Sequence, residues 1–205
     1  MGPARRAVTG EKLLGPRGGT GDDAPMRSDV TLRPLEEKVL RDLLDAAVAD
    51  ADPREVMPPL DAGPDGGPAD EWTPERRSAF LGFHRTRSLT AEPVEATYAV
   101  VVGKAVVGAV RLFPLTAAER AARPAAEAGV WLMRSYRGAG VGDAAFRQLL
   151  GLAHAQGIER LYVHTTVENT AARALITALG ATVVRGGGAG GAAVTAWLDT
   201  TGSGS

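Results

Sequence analysis

The run Arg134-Ser-Tyr-Arg-Gly-Ala-Gly-Val-Gly-Asp143 sets Gly138, Gly140 and Gly142 between a strand pattern and a helix pattern. Upstream, Gly129-Val-Trp-Leu-Met133 reads as a strand. Downstream, Ala144 to Gln156 carries Phe146, Leu149, Leu150, Leu152 and Ala153 at helical spacing. A turn of this kind suits an anion. Its glycines keep side chains away from the first-turn amides, which have no intrahelical acceptors, and the helix dipole adds positive potential at that end. Arg137 could add charge-assisted hydrogen bonds at the edge. The same glycines could also do no more than permit a tight connection. A P-loop is excluded because no Gly-Lys-Ser or Gly-Lys-Thr follows. A Rossmann start does not fit, since the turn lies deep in the chain and no carboxylate is well placed near Leu161.

Such a turn needs a core to hold it. At 205 residues with 44% hydrophobic content, the chain can bury one sizeable core but hardly two. A formal net charge of −1 speaks against a general nucleic-acid surface. Without cysteine, thiolate catalysis is impossible; with three histidines, a soft metal site is not expected. Neither a signal peptide nor a continuous apolar membrane span is visible, so a cytoplasmic protein with no membrane partner is the default expectation.

Residues 1–28 mix Gly, Pro and charge without an apolar period and are expected to form a flexible leader. Residues 201–205, Thr-Gly-Ser-Gly-Ser, read as a tag or linker remnant, leaving 29–200 as the domain. Asp29 to Arg33 suggests a strand ended by Pro34, and Leu35 to Val48 an amphipathic helix. The Pro- and Gly-rich stretch 57–68 cannot continue that helix. Thr73-Pro74 then caps and opens a second helix to about Arg87. Glu95–Val102 and Ala105–Phe113 alternate as a hairpin turning at Gly103-Lys104. The alanine-rich connection Thr116 to Ala128 is ambiguous and leaves room for a short helix. Arg160–Thr166 reads as a strand, Asn169–Leu179 as a helix, and Ala181–Val184 and Ala192–Leu198 as strands around a Gly-rich loop. Helices interrupting a mixed sheet favour an α/β architecture.

With these elements in order, the chain resembles the GNAT superfamily of acetyl-CoA-dependent N-acetyltransferases over about Asp29 to Asp199. Arg137-Gly-Ala-Gly-Val-Gly142 matches that family's Arg/Gln-x-x-Gly-x-Gly/Ala motif. Asn169-Thr-Ala-Ala-Arg-Ala-Leu-Ile-Thr-Ala-Leu-Gly-Ala181 is similar to the stretch in which an Asn opens the final core helix and a Gly ends it. The resemblance implies a mixed, mostly antiparallel sheet flanked by helices, with acetyl-CoA as the donor. It further implies that amides around Arg137, Gly138, Ala139, Gly140, Val141, Gly142 and Asp143 cradle the pyrophosphate. The strand carrying Trp131, Leu132 and Met133 would pair with pantetheine, and the sheet would splay between it and Leu161–Thr165. An amide near Leu132 would donate to the acyl carbonyl, where negative charge develops. Asn169 would contact the pantetheine arm, or serve as an ordinary helix cap. One departure touches mechanism: where many relatives carry a tyrosine that protonates the leaving thiolate, this chain has Ile176. Tyr136 and Ser135 are the nearest hydroxyls in sequence.

Acetyl transfer to an amine needs a proton acceptor, because alkyl ammonium groups dominate near neutral pH. Glu127, expected at a loop end just before the Trp131 strand, is the first candidate, as base or amine-binding carboxylate. Glu95 is the second, with strand-edge protection as its bland alternative. His164 and His84 could relay protons, His164 being slightly favoured. Trp72, Phe80 and Phe83 are expected to pack rather than recognise ligand. Arg76, Arg77, Arg85 and Arg87 are expected to form a solvated face, and Arg185 to belong to a flexible connection.

The leading expectation is an N-acetyltransferase for the primary amine of a small molecule, one version being an aminoglycoside antibiotic. That polycation would call for several convergent carboxylates, drawn from Glu55, Asp61, Glu95 and Glu127. A protein N-terminus or lysine is the enzymatic alternative, and a non-catalytic acyl-CoA-binding regulatory domain is the other class. The oligomeric state is open, a homodimer included.

Overall fold

The computed structural model describes residues 29–56, 71–116, 123–188 and 191–201. The expected leader 1–28, the Pro- and Gly-rich stretch 57–68 with Asp61, and residues 202–205 lie outside the described residues.

Among the described residues, seven strands form one sheet: β1 (Val30–Pro34), β2 (Ala96–Val102), β3 (Ala105–Pro114), β4 (Ala125–Leu132), β5 (Arg160–Thr166), β6 (Thr182–Gly188) and β7 (Gly191–Asp199). Their order is β1-β2-β3-β4-β5-β7-β6. Every adjacent pair is antiparallel except β4 and β5, which run parallel. The mixed, mostly antiparallel sheet expected from the sequence is therefore what forms.

Two helical layers cover it. On one face, α1 (Glu37–Asp50) and α3 (Pro74–Ser88) bury Leu40, Leu43 and Phe80 against Ala109 of β3. On the other, α4 (Val141–Ala155) sets Phe146, Leu149 and Leu150 on Val110, Leu112 and Leu161, and α5 (Thr170–Ala178) adds Ile176 to the same core. Each large side chain removed from water in these layers stabilises by about 1.5–3 kcal/mol before entropy is counted. A short helix, α2 (Pro53–Val56), follows α1.

Local signals explain most boundaries. Thr73 Oγ1 accepts from the amide of Arg76 at 3.3 Å, so the Thr-Pro start of α3 is a working cap. Gly103, at φ 60°, turns the β2–β3 hairpin. Leu35 stays outside α1, its amide donating to the Thr97 carbonyl at 3.0 Å, which ties the chain to the sheet for one more residue.

Two expectations are corrected. The segment expected to be an ambiguous connection up to Ala128 becomes strand from Ala125 onward. Alanine favours helix by propensity, but small residues fit a strand paired on both sides, with β3 and with β5, and tertiary context prevails. Glu127 consequently lies within β4, opposite Phe113 and Tyr162, and not at a loop end. Likewise the Gly-rich connection before Gly191 is largely strand: β6 runs to Gly188, which pairs with Gly191. Arg185 pairs with Val194 in that ladder, and its side chain lies outside what is described.

Candidate active site

The parallel pairing of β4 and β5 is short. Ala125, Ala126 and Glu127 face Arg160, Leu161 and Tyr162, and there the ladder stops although both strands continue. Beyond Glu127 and Tyr162 the sheet opens.

Main-chain geometry shows what faces the opening. The Leu115 amide donates to the Ala125 carbonyl at 3.0 Å, and the Met133 amide to the Val107 carbonyl at 2.9 Å. Both bonds fix the same phase, so the odd-numbered residues of β4 bond towards β3 and the even-numbered ones face the other way. Ala128, Val130 and Leu132 thus present main-chain groups at an edge that β5 has left. Leu132 confirms the direction, because its carbonyl accepts from Arg137 Nε at 3.0 Å. One acceptor on that edge is already used, while its amide is not met by β3.

At the end of β4 the chain makes a one-turn 3-10 helix, Arg134–Tyr136, and reaches the glycine turn. Gly138 and Gly140 have φ of 79° and 81°, a region that favours glycine, and Gly140 is the N-cap of α4 without a side-chain cap. The first amides of a 15-residue helix are left open beside the strand edge. Gly142 differs, being inside the helix, where an added Cβ would meet Leu132 at 3.5 Å and Leu175 at 3.9 Å. Asp143 sits in the first turn with its carboxylate held by Arg147 at 3.1 Å. Arg137 does not stand ready with an unengaged guanidinium: besides Leu132, it donates to Glu55 Oε2 at 2.6 Å.

A cavity of about 360 Å³ runs through the opening. Asn169, Leu175 and Ile176 of α5 and its cap line one end, Phe83 and His84 of α3 the other, and β3, β4 and β5 the walls. Asn169 combines both expected placements. Its Oδ1 caps α5 by accepting from Ala172 at 3.0 Å, and the residue lines the cavity. Ile176 lines it too, so the position lacking a tyrosine is an aliphatic wall. Tyr136 and Ser135 do not line it; the hydroxyl-bearing residues on its walls are Thr97 and Thr165.

The polar groups form a row across the α3-facing side of the sheet. Glu127 Oε1 lies 3.8 Å from His164 Nδ1 and 3.9 Å from Arg111 Nη2. Glu127 and His164 are therefore brought together on the cavity wall, His164 being largely exposed and stacked beside Tyr162. Glu95 is not brought to the wall. Its side chain has no exposed surface, and its carboxylate is bonded to Arg87 at 2.8 Å and paired with Arg111 at 3.5 Å. Its other oxygen receives Ser88 at 3.5 Å and Thr97 at 3.4 Å. A carboxylate enclosed by two guanidiniums and two hydroxyls is committed, which corrects its placement as a second base.

His84 is buried at 3% exposure, and neither ring nitrogen has a hydrogen-bond partner. Burial pushes its pKa down to about 4, against a smaller upward pull from Glu95. The imidazole is neutral at physiological pH, wedged edge-on against Phe80 and Phe83. Trp72 is a packing residue, its Nε1 donating to Ala51 at 2.8 Å, and Phe80 is fully buried. Among the arginines of α3, Arg76 and Arg77 donate to the carbonyls of Glu71 and Trp72 just before the helix and Arg85 binds Glu37, whereas Arg87 turns inward over Phe83 and Phe113.

Arg111 is the residue sequence reasoning missed. It reads as one polar position in an apolar strand, and only the register opposite Gly129 shows its use. Glu55 is expected from the sequence among carboxylates converging on an acceptor amine, and its partners Arg134 and Arg137 carry no local signal. Among the described residues no cluster of His, Cys, Asp or Glu could hold a metal, and no helix is long and apolar enough to cross a membrane.

Residues 29–182 match the family described as Acetyltransferase (GNAT) domain. The fold is similar to the GNAT domain of S. lividans PAT, with a TM-score of 0.60 and 18% identity over 82% of this chain and 89% of that one. Mycobacterium smegmatis RimJ in complex with CoA-disulfide gives 0.63 and 18%, covering 86% and 84%. The N152L mutant of spermidine N-acetyltransferase SpeG from Vibrio cholerae gives 0.58 and 18%, covering 85% and 95%. At these identities the likeness is one of fold. No curated protein sequence matches the chain.

Proposed function

Since the chain belongs to the GNAT acetyltransferases, which use acetyl-CoA, we propose that it is an N-acetyltransferase for the primary amine of a small molecule. The observation that carries this reading is the opening beyond Glu127 and Tyr162, with an unpaired strand edge on one side and Glu127 on its wall.

The donor supplies an activated acetyl thioester, and the chain's own groups do the rest. The open amides at the start of α4, Val141 and Gly142 among them, hold the pyrophosphate, and Gly138, Ala139 and Gly140 shape the backbone around it. Arg137 reaches that charge by exchanging Glu55 for phosphate. The β4 edge aligns the pantetheine arm, Asn169 closes over it from α5, and the Leu132 amide donates to the acyl oxygen. Trp131 and Met133 hold that edge in place through their bonds to β3. Glu127 takes the proton of the acceptor ammonium, with His164 next to it as the route to solvent. Ile176 offers no proton, so the thiolate would leave as an anion, and the second proton released by the acylated nitrogen would reach it through solvent.

A polycationic acceptor such as an aminoglycoside is less well supported than a smaller amine. Glu55 is bound by Arg137 and flanked by Arg134, Glu95 is enclosed, and Asp61 lies outside the described residues, which leaves Glu127 as the carboxylate facing the cavity from β4. A protein acceptor rests on fold likeness alone. A non-catalytic acyl-CoA-binding role draws support from Ile176.

The test is incubation of the purified protein with acetyl-CoA and a mixed panel of amino acids, polyamines, aminoglycosides and short peptides, with mass detection of acetylated products. Stoichiometric CoA release that depends on an added amine is the expected result. Acetyl-CoA binding without any acetylated product would establish the non-catalytic reading instead.

A further inference from the structure

From the placement of Arg111 we infer that the acceptor carries a carboxylate close to its reactive amine, and that Arg111 binds this carboxylate while Glu127 receives the amine. The inference rests on the proposed acetyl transfer and narrows its substrate class to small amino acids.

Arg111 lines the cavity, and its guanidinium makes no hydrogen bond among the described residues. Its two ion-pair contacts, 3.5 Å to Glu95 and 3.9 Å to Glu127, are at or beyond hydrogen-bonding range. Several of its five N–H donors are therefore available to a ligand. The group is nevertheless held in place. Glu95 lies behind it, the Phe83 ring lies 6.0 Å away, and Gly129 opposite leaves room for its stem. A Cβ on Gly129 would come within 2.9 Å of Arg111 Nε and 3.2 Å of its Cγ. A planar fork backed by a buried carboxylate and lining a cavity is suited to recognise a carboxylate.

Charge balance points the same way. Arg87 and Arg111 face Glu95 and Glu127, two positive charges against two negative. Once Glu127 has taken the ammonium proton, only Glu95 opposes the two guanidiniums. An acceptor carboxylate on Arg111 restores the balance at that moment. An amine with no anionic group leaves the surplus in place and also brings its own ammonium up to Arg111.

Matched pairs test this directly: α-, β- and γ-amino acids against the same amines lacking the carboxylate, comparing kcat/KM by mass detection. The wild-type protein should favour at least one amino acid over its decarboxylated partner by about 10- to 100-fold, the range of a charge-assisted hydrogen bond in a partly buried site. In Arg111→Met that ratio should collapse to within about threefold, mainly through KM, whatever the absolute rates. If Arg111→Met does not fold, Gly129→Ala, which displaces the guanidinium without removing it, should lower the same ratio. Preference for the amines without carboxylate, or an Arg111 variant that slows both members of a pair alike, overturns the inference and leaves acetyl transfer standing. Absence of any acetylated amine overturns the transfer reading and this inference together.

Discussion

The proposed donor side and the proposed acceptor side of the cavity are built in opposite ways. The donor side is nearly continuous in sequence: β4, the glycine turn and the start of α4 occupy residues 125–142 without a break. The acceptor side is assembled by register. Thr97, Arg111, Glu127 and His164 come from four different strands, and Phe83 and His84 come from α3. Backbone amides can cradle a phosphate with little help from side chains, so a short motif suffices. Recognition of an acceptor needs side chains converging from distant segments, and that convergence is a property of the sheet.

The largest contrast is expected from Glu127→Gln. If Glu127 takes the ammonium proton, this isosteric change should lower kcat by about 10² to 10⁴, while calorimetry shows acetyl-CoA binding unaltered. A rise in KM for the amine with kcat preserved would recast Glu127 as a binding carboxylate, and His164 would then be the candidate base on that side.

Glu95→Gln should act on stability more than on chemistry. Removing one partner of a buried ion pair typically costs about 3–5 kcal/mol. Arg87 and Arg111 each keep about a third of their side-chain surface in solvent, so about 2–3 kcal/mol is expected from urea unfolding. Loss of order at Arg111 should follow, visible as a weaker acceptor KM at temperatures where the protein remains folded. Unchanged stability would mean that the two guanidiniums do not depend on this carboxylate.

On the donor side, Gly140→Val puts a β-branched residue at φ 81°. The left-handed region costs an ordinary L-residue about 1–2 kcal/mol, and a branched one more. Acetyl-CoA affinity should drop by an order of magnitude or greater as the turn reshapes, with the acceptor wall untouched. Affinity within twofold of wild type would remove the turn from the phosphate site.

This division also accounts for what was readable in sequence. The Thr73 cap, the hairpin at Gly103 and the Asn169 helix start each depend on a few adjacent residues and form where expected, whereas the glycine turn is shorter than expected, because α4 begins at Val141 and not at Ala144 and takes Gly142 into the helix. β4 was shortened because Ala125, Ala126 and Ala128 carry a helical propensity that only the neighbouring strands override. The chemistry of Glu127 is legible in the sequence but its place inside a strand is not, and nothing local to Glu95 reveals Arg87 and Arg111 around it. Arg111 itself gives no local signal. Its role appears only when Gly129 is seen opposite.

A smaller effect belongs to His84. Its folded-state pKa of about 4 is below the ordinary 6.5, chiefly through burial. The unfolded chain therefore binds more protons between those values, so stability falls as pH drops from about 6.5 towards 4. On the order of 1–2 kcal/mol should be lost from this source at pH 5. His84→Leu removes two unpartnered nitrogens as well as the titration, and should flatten that acid limb in thermal melts across pH. An acid limb identical to wild type would assign the loss between pH 6.5 and 4 to other groups; Asp52, whose pKa is held at about 2 by its hydrogen bonds with Arg54, gives up its own contribution only below about pH 4.

The smallest effect sharpens the donor side itself. Three glycines look alike in the motif, but only Gly138 and Gly140 occupy the left-handed region, while Gly142 is a helical residue with room for a methyl group against Leu132 and Leu175. Helix propensity favours alanine over glycine there by up to about 1 kcal/mol. Gly142→Ala should therefore melt at the same temperature as wild type or a few degrees above it, with acetyl-CoA affinity within about threefold, since its amide still points at the phosphate site. A tenfold loss of affinity with the fold intact would mean that the ligand's own atoms need the space a methyl group takes, and that the cradle extends one helical turn further than the strain-bearing glycines indicate.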